Sequence, residues 1–352
     1  MATLLEMLDP AAEAAMRDHI AGALRTQAVY VVAKLGIADH LSLGPRSATD
    51  IAERVNAHAP TLRRVLRFLV AAGVFIELED GRFALNRAAE YLQSVHPKSL
   101  RRSAIRAGEN LWNVGSRLLE SVQTGRTAHD LVHGSTFFER KSGEEREPEF
   151  ASRMSSSSAG IGDALAREEI FANARHIVDV GGAHGTLLLP ILQRHPHLHG
   201  TLFDRANTIE SARAVVAKSE VRDRCSLVAG DFFESVPSAD VYLLSWILHD
   251  WQDDDALRIL QRCREAGGDD ATLLVVESLM PSRAIASGNE RATTLADPYM
   301  LDLQMLLLTG GVERTLEEYR ELLKEGGYEL AQARELGVTR GTSVLVSRTK
   351  SR

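Results

Sequence analysis

The spacing of apolar residues changes near residue 170 and divides the chain into two halves. Before this point apolar residues recur at helical intervals, and after it short apolar runs of strand-forming residues alternate with segments of helical pattern. Such alternation is typical of βαβ units and a parallel sheet. The pattern therefore predicts a mainly helical first half and an α/β second half.

Five apolar runs of the second half are predicted to be parallel strands. They are HIVDVGG (176–182), GTLFD (200–204), CSLVAGD (225–231), ADVYLLSW (239–246) and ATLLVVES (271–278). Two more strand-like pieces, YELAQARELG and TSVLVSRT, follow Gly326-Gly327 with a turn but no helix between them. These two pieces predict a terminal antiparallel hairpin.

The clearest structural pattern of the first half lies in residues 47–85. Ser47, with Asp50 three residues later, resembles a capping box at the start of a helix. A second helical pattern follows, and then two short strands flank Asp80-Gly81. This order is typical of a winged helix-turn-helix.

Arginines on the second helix of this motif raise the question of DNA binding. Arg63, Arg64 and Arg67 lie where a recognition helix would carry basic residues. The chain has 41 basic and 48 acidic residues and a net charge of -7, which argues against nucleic acid or an anionic membrane as the main partner. We expect a structural or dimer-forming role for this motif.

The expected fold class is α/β, with a Rossmann-like, mostly parallel sheet and a terminal antiparallel hairpin, preceded by a mainly helical winged-helix domain. The predicted domains are a winged-helix dimerisation domain at 1–100, a helical connecting and substrate-lining region at 101–170, and a cofactor-binding domain at 171–352.

Composition predicts a soluble, cytoplasmic protein. The chain is 44% hydrophobic and 25% charged, and it lacks the run of ~18 apolar residues that spans a membrane. The N-terminus has no basic region followed by an apolar core, so it does not resemble a secretory signal. Cys225 and Cys263 have no CxxC spacing and predict neither a disulfide framework nor a zinc site.

A glycine loop and acidic strand ends predict a nucleotide-type cofactor. DVGGAHG (179–185) follows a strand and opens a helix, and its glycines allow the backbone to approach a ligand closely. Val180 replaces the first glycine of the dinucleotide motif, which disfavours NAD. Asp204 ends the next strand and can accept hydrogen bonds from a ribose, and Asp231, followed by Phe232, can hold an adenine ring.

The run VYLLSWILHDW (241–251) ends a buried strand with His249 beside Asp250. The carboxyl end of a parallel strand opens into a ligand crevice, so this histidine is a candidate base. The alternative is a structural histidine, with Asp250 or Asp253 capping the next helix. Three further histidines in HPHLH (195–199) lie between a helix and a strand, and we expect a surface connection and no metal there.

Six motifs occur in an order that resembles one family. They are DVGGAHG, LFD (202–204), GDFF (230–233), ILHDW (247–251), VVESLMP (275–281) and GGVERTLEEY (310–319). In this order they resemble the class I S-adenosylmethionine-dependent small-molecule O-methyltransferases, of plant caffeic-acid type and their bacterial relatives. The resemblance implies a cytoplasmic enzyme that methylates a phenolic or enolic hydroxyl of an aromatic metabolite, as a homodimer joined through the winged-helix domain.

The resemblance also assigns roles to residues of this sequence. It implies cofactor binding by Gly181, Gly182, Gly185, Asp204, Asp231 and Phe232, and catalysis by His249 as base with Glu277 and Glu313 beside it. Ser245 stands where plant members carry a lysine near the cofactor. Met154 and Phe137 or Phe138 are expected to line the substrate, and Met305 is expected to pack or to line an apolar pocket.

These roles imply base-assisted methyl transfer to a bound acceptor. A neutral histidine can remove the proton of a phenol during attack, and acidic partners would fix its tautomer, whereas we expect Asp250 to point elsewhere. The alternatives left open are C- or N-methylation or a non-methylating reaction in the same family, an NAD-dependent oxidoreductase, and a winged-helix regulator.

Overall fold

The computed structural model describes residues 9–139, 160–284, 297–338 and 341–350. The chain forms two compact units, divided between Ser116 and Arg117. The first unit is mainly helical with one two-stranded sheet, and the second contains a seven-stranded sheet.

The first unit contains a winged helix-turn-helix, as the sequence pattern predicts. Its helices are α1 (Pro10–Lys34), α2 (Ile37–Leu41), α3 (Ala48–Arg54), α4 (Ala59–Ala71), α5 (Arg87–Glu90), α6 (Arg101–Arg106) and α7 (Trp112–Gly115), with a π-helical segment at Ala107–Leu111. The antiparallel strands β1 (Phe75–Glu77) and β2 (Phe83–Leu85) form the wing. Leu62, Leu66 and Leu69 are buried along one face of α4, at the spacing that a helix requires.

Local side-chain bonds explain the start of α3 and the arginines of α4. Ser47 caps α3 by accepting the Asp50 backbone N–H, but the Asp50 carboxylate binds Arg46 and Arg54 and does not complete a capping box. On α4, Arg67 lies 3.1 Å and Arg63 lies 3.9 Å from the Glu77 carboxylate of the wing. These two arginines therefore form ion pairs within the winged-helix motif.

The second unit alternates helices and strands. Its helices are α8 (Leu118–Thr124), α9 (Ala128–His133), α10 (Leu188–Arg194), α11 (Ala206–Val216), α12 (Asp253–Gly267), α13 (Pro298–Leu308) and α14 (Leu316–Glu325), and residues 137–139 and 160–165 are also helical. Its strands are β3 (His176–Val180), β4 (His199–Asp204), β5 (Cys225–Ala229), β6 (Val241–Ser245), β7 (Thr272–Ser278), β8 (Tyr328–Glu335) and β9 (Thr342–Thr349).

The strand order is β5-β4-β3-β6-β7-β9-β8. The first five are parallel, whereas β9 pairs antiparallel with both β7 and β8, which confirms the terminal hairpin. The order reverses between β3 and β6, and such a switch point opens a crevice at the carboxyl ends of the strands.

Both faces of this sheet are buried. On β3, Ile177 packs into one hydrophobic cluster and Val178 into the other, because successive side chains of a strand point to opposite faces. Burial on both faces explains why the strands read as continuous apolar runs rather than as alternating patterns. Within the described residues, no helix has both the length and the apolar character to cross a membrane.

Candidate active site

The predicted cofactor and catalytic residues lie in the second unit, at or just beyond the carboxyl ends of β3 to β7, except Glu313. The glycine loop follows β3, Asp204 ends β4, Asp231 follows β5, Ser245 ends β6, and Glu277 lies near the end of β7. Because the five strands are parallel neighbours, these ends lie along one edge of the sheet.

The glycine loop has no free space for a side chain at Gly181 or Gly182. Gly181 and Gly185 have positive φ of 71° and 74°. A Cβ at Gly181 would lie 2.5 Å from Ile247 Cδ1, and one at Gly182 would lie 2.4 Å from the Asp179 carboxylate. Such contacts are too short for real atoms, so a side chain at either position would displace its neighbours.

The carboxylates of Asp204 and Asp231 can still accept hydrogen bonds from a ligand. Asp204 accepts the backbone N–H groups of Ala183 at 3.0 Å and Arg205 at 2.7 Å, one on each carboxylate oxygen. Asp231 is exposed and accepts the N–H of Phe233 at 2.8 Å. Each oxygen has a second lone pair, so both carboxylates can still accept hydroxyl or amine hydrogens.

Aromatic rings cluster beside the glycine loop. Phe232 lies 3.9 Å from the Cβ position of Gly181 and packs edge-on against Trp251, with ring centroids 6.0 Å apart. Phe138 stacks on the same indole at 4.9 Å, and Phe137 packs edge-on against Phe138. The proximity of Trp251 to Phe232 and Phe138 depends on the tertiary structure, because Phe138 lies more than 100 residues away in the chain.

Two buried polar groups lie near the glycine loop, Asp179 on β3 and Ser245 at the end of the neighbouring strand β6. Burial first, and then the nearby Asp204 carboxylate, raise the pKa of Asp179 to about 7. The hydroxyl oxygen of Ser245 is buried and has no hydrogen-bond partner among the described residues. An unpaired buried hydroxyl costs ~1–3 kcal/mol, so a polar ligand atom at this strand end would stabilise it.

His249 lies on a short 3₁₀ turn, Leu248–Asp250, which is separated from the end of β6 by Trp246 and Ile247. Trp246 has a φ of 55°, a left-handed conformation that is strained for a large side chain and that turns the backbone out of the strand. His249 is buried, its ring centroid lies 5.3 Å from that of Trp246, and its Nδ1 lies 2.7 Å from Glu313 Oε1.

Glu277 contacts the same turn in a different way from that expected. Its Oε1 accepts the backbone N–H groups of Ile247 at 3.1 Å, Leu248 at 2.9 Å and His249 at 3.4 Å. Its Oε2 lies 3.8 Å from His249 Nδ1, beyond hydrogen-bond distance. Of the two glutamates, only Glu313 therefore hydrogen-bonds the imidazole, and Glu277 holds the backbone that carries it.

The expectation that Asp250 points elsewhere is wrong. Its Oδ1 lies 3.9 Å from His249 Nε2, which is beyond hydrogen-bond distance but close enough for the carboxylate to act on the charge of the imidazole. Neither Asp250 nor Asp253 caps α12: the cap position is Gln252, which makes no side-chain cap bond, and Asp253 pairs with Arg314 instead.

Three carboxylates determine the charge state of His249. Burial lowers the pKa of its imidazole, but the nearby carboxylates of Glu277, Asp250 and Glu313 outweigh burial and raise it to about 10. Burial also raises the pKa of Glu277, to about 7. The imidazole in this site is therefore a stronger proton acceptor than a free histidine.

The loop that carries Glu313 packs closely against the His249 turn. The N–H of Val312 donates to the carbonyl of His249 at 2.9 Å, and a Cβ at Gly311 would lie 2.0 Å from that same oxygen. Gly311 therefore permits two backbones to touch. Two polar neighbours were not identified from sequence: Asp302, which accepts the Glu313 backbone N–H at 3.0 Å, and Arg314, which donates to the Leu248 carbonyl at 3.0 Å. Arg314 and Gly311 nevertheless lie in the motif GGVERTLEEY.

The remaining predicted lining residues lie outside this cluster or outside the described residues. Met305 is half-buried on α13, the helix before the Glu313 loop, and its sulfur lies 4.0 Å from Thr309 Oγ1. Met154 falls outside the described residues. Within the described ranges, no group of three or more His, Cys, Asp or Glu side chains is arranged to hold a metal ion.

Comparison with known proteins identifies the family. The O-methyltransferase domain profile matches residues 116–329, and the O-methyltransferase dimerisation domain profile matches residues 17–94. The chain is 36% identical to the mitomycin biosynthesis 6-O-methyltransferase of Streptomyces lavendulae, over 93% of this chain and 92% of that protein.

Solved structures agree with this assignment. The mitomycin 7-O-methyltransferase MmcR superimposes with a TM-score of 0.85 at 35% identity, covering 97% of this chain and 98% of that one. The O-methyltransferase NcsB1 of neocarzinostatin biosynthesis, in complex with S-adenosylmethionine and 2-hydroxy-5-methyl naphthoic acid, gives 0.80 at 31% identity, covering 93% and 96%. The chain therefore belongs to the S-adenosylmethionine-dependent O-methyltransferase family and carries that family's dimerisation domain.

Proposed function

We propose that this protein methylates a phenolic or enolic hydroxyl of an aromatic small molecule of secondary metabolism, with His249 as the general base. The observation that carries the proposal is the buried 2.7 Å contact between His249 Nδ1 and Glu313 Oε1, at the crevice edge where the glycine loop also ends. The relatives support the substrate class, since MmcR acts in mitomycin biosynthesis and NcsB1 binds a hydroxynaphthoic acid.

The cofactor would be held by the glycine loop and the acidic strand ends. We assign Asp204 to the ribose, Asp231 and Phe232 to the adenine, and Ser245 to a polar atom near the strand end, with the loop contacts supplied by Gly181, Gly182 and Gly185. The unpartnered Ser245 hydroxyl and the absence of room for side chains at Gly181 and Gly182 fit a ligand held closely by backbone. When bound, S-adenosylmethionine supplies an electrophilic methyl group.

His249 would remove the acceptor proton. When the imidazole is neutral and donates its Nδ1–H to the Glu313 carboxylate, Nε2 presents a lone pair to the acceptor. This neutral form is the minor one at neutral pH, and it increases as the pH approaches the raised pKa of His249. A phenol has a pKa near ~10, and the pKa of His249 is raised to a similar value. Proton transfer from phenol to imidazole is then nearly balanced in free energy, which suits a base acting during the attack.

Glu277 would act as a positioning residue. Its carboxylate binds three successive backbone N–H groups of the turn, so it fixes the direction in which His249 leaves the strand. Phe137, Phe138, Met154 and Met305 are proposed to line the acceptor, whose flat ring would pack against aromatic and thioether groups.

The test is a matched set of acceptors incubated with radiolabelled S-adenosylmethionine. Phenols, naphthoates, flavonoids and quinones would be screened first, and the best scaffold then compared as its hydroxyl, amino and methoxy forms. We expect label only in the hydroxyl form, recovered as a methyl ether. Label in the amino form or on ring carbon, or conversion without label, would support N- or C-methylation or a non-methylating reaction and contradict the proposal.

We further infer a cytoplasmic homodimer that does not bind nucleic acid. The dimerisation domain supports the dimer, and two buried free thiols, Cys225 and Cys263, suit a reducing compartment.

The ion pairs of Arg63 and Arg67 with Glu77 leave these arginines less available to the phosphates of a nucleic acid. Duplex binding that weakens with salt and with R63E/R67E would contradict this inference.

A further inference from the structure

Arg314 is a buried cation that contacts the 3₁₀ turn carrying His249. Its side chain is 3% exposed. Nη1 donates to the carbonyl of Leu248 at 3.0 Å, and Nη2 donates to the carbonyl of Trp251 at 2.9 Å. These carbonyls lie on either side of His249 in sequence, so the guanidinium spans the turn that carries the imidazole.

The same guanidinium also binds the loop that carries Glu313. Nη1 donates to the carbonyl of Val312 at 3.3 Å, and the Val312 N–H in turn donates to the carbonyl of His249 at 2.9 Å. Arg314 therefore holds together two segments that are 64 residues apart and whose side chains meet in the His249–Glu313 hydrogen bond.

The geometry of this contact requires a planar fork. Nε and Nη2 donate to Asp253 Oδ1 at 2.9 and 2.7 Å, and the guanidinium lies over the ring of Tyr319, 5.8 Å from its centroid. The Asp253 side chain is 72% exposed. The other hydrogen-bond partners of the guanidinium are the backbone carbonyls of Leu248, Trp251 and Val312. A lysine would keep the charge but could not satisfy these directions together.

Stability alone does not explain the residue. Replacing a buried ion by an apolar side chain of similar volume is often neutral or stabilising, because the ion must lose its hydration. A buried guanidinium between two catalytic segments is better explained by the geometry that it imposes on them.

We propose that Arg314 is a positioning residue that sets the distance between His249 and Glu313. Its role in turnover rests on the proposed function of His249 as base, whereas its effect on the His249–Glu313 pair does not. Without the fork, the Glu313 loop would shift, the Nδ1–Oε1 hydrogen bond would lengthen, and the imidazole would titrate closer to an ordinary histidine.

The direct test is a pH titration of His249 in R314K, monitored by NMR of protein labelled with ¹⁵N-histidine. The His249 signal is identified among the 12 histidines by its loss in H249Q. We expect the midpoint of His249 to fall by about one pH unit or more. A midpoint equal to that of the wild type in folded R314K would overturn the proposal. This measurement needs no acceptor, so it remains decisive even if the proposed methylation fails.

Arg224 provides a matched control. It also binds three backbone carbonyls, those of Leu192, His195 and Leu198, but it lies away from the His249 turn. R224K is expected to lower the melting temperature and to leave the His249 midpoint unchanged. An equal shift of that midpoint in R224K would show general loosening and overturn the specific role of Arg314.

Kinetics with the best acceptor of the screen separate positioning from folding. We expect R314K to lower kcat by about tenfold or more, since misplacement by ~1 Å can cost ~10²-fold, with KM for the acceptor within about threefold. In an E313A background the same change should cost little, because the side chain that Arg314 is proposed to position is already absent. An equal loss of kcat in both backgrounds would contradict the proposal.

A surface variant carries the test if R314K does not fold. D253A removes both hydrogen bonds that the guanidinium donates to Asp253 Oδ1, whereas its bonds to the backbone carbonyls do not involve this side chain. We expect a smaller fall in the His249 midpoint and in kcat, of the same sign as for R314K. No change in either quantity would overturn the proposal.

Discussion

His249 and Glu313 form a buried hydrogen bond of 2.7 Å between Nδ1 and Oε1, although 64 residues separate them in the chain. Glu277, near the end of β7, binds the backbone of the same turn rather than the ring. One carboxylate therefore orients the imidazole and the other orients the turn that carries it.

The first prediction concerns the base itself. H249Q and H249A should lower kcat for a phenolic acceptor by about 10²- to 10⁴-fold, because the acceptor proton then has no positioned base. Binding of S-adenosylhomocysteine, measured by calorimetry, should change by less than about twofold. H197Q is the control, since His197 binds the carbonyl of Phe171 away from the site. Turnover near the wild-type value in H249Q would remove His249 from the base role.

The second prediction is the pH dependence of kcat/KM. Because the pKa of His249 is raised to about 10, its neutral form increases with pH across the neutral range, and kcat/KM for a phenol should rise between pH 7 and 9. E313Q removes a carboxylate that raises this pKa, so its profile should bend at lower pH while its maximum falls. E317Q, at an exposed ion pair with Arg320, should keep the wild-type profile. A wild-type profile that is flat above pH 7 would contradict the raised pKa.

The third prediction concerns the glycine loop. In G182A the new methyl group would lie 2.4 Å from the Asp179 carboxylate and 2.6 Å from Leu202 Cδ1, so the loop or these two buried side chains must move. We expect a loss of about 1–3 kcal/mol in the free energy of unfolding and at least tenfold weaker binding of S-adenosylhomocysteine. G115A, where a Cβ meets nothing within 4 Å, should bind normally. Unchanged binding in G182A would separate this loop from the cofactor site.

The fourth prediction is a pH-dependent stability difference at Asp179. Burial raises the pKa of this carboxyl from 3.8 to about 7, so the folded state retains a proton that the unfolded state loses, and stability falls as pH rises through this window. D179N lacks this titration. Its free energy of unfolding relative to the wild type should therefore increase with pH, by up to ~1.4 kcal/mol per unit between pH 5 and 7.

The control for this measurement is D223N, because the Asp223 side chain is 85% exposed. Chemical denaturation at pH 5, 6 and 7 should give a constant difference for D223N and a rising one for D179N. Parallel curves for wild type and D179N would show that Asp179 does not titrate in this range.

The fifth prediction concerns the proposed dimer. Met16, Ile20 and Leu24 recur at every fourth position of α1 and are 59%, 73% and 71% exposed. Such an apolar stripe on a helix of the dimerisation domain is expected to be covered by a second copy of the chain. I20E should convert the dimer to a monomer in light scattering, whereas H19E, beside the stripe, should remain a dimer. A dimeric I20E would place the interface elsewhere.

Sequence by itself determined the identity of the strands, the terminal hairpin, the glycine loop and the placement of His249 just beyond the end of β6. These features depend on local rules: the periodicity of apolar residues, the backbone freedom of glycine, and the reversal of chain direction without a helix between β8 and β9. The cap of α3 by Ser47 is of the same kind, since both partners lie within one turn.

Only the tertiary structure decided which carboxylate binds the imidazole. Sequence placed Glu277 and Glu313 together as partners of His249, but distances between segments far apart in the chain depend on how β6, β7 and the Glu313 loop pack. The same packing brings the Asp250 carboxylate to 3.9 Å from His249 Nε2 and places the Arg314 guanidinium against the turn that carries His249. Local patterns encode the direction in which a residue leaves its own element, whereas hydrogen bonds between elements depend on distances of a few tenths of an ångström that only the assembled core fixes.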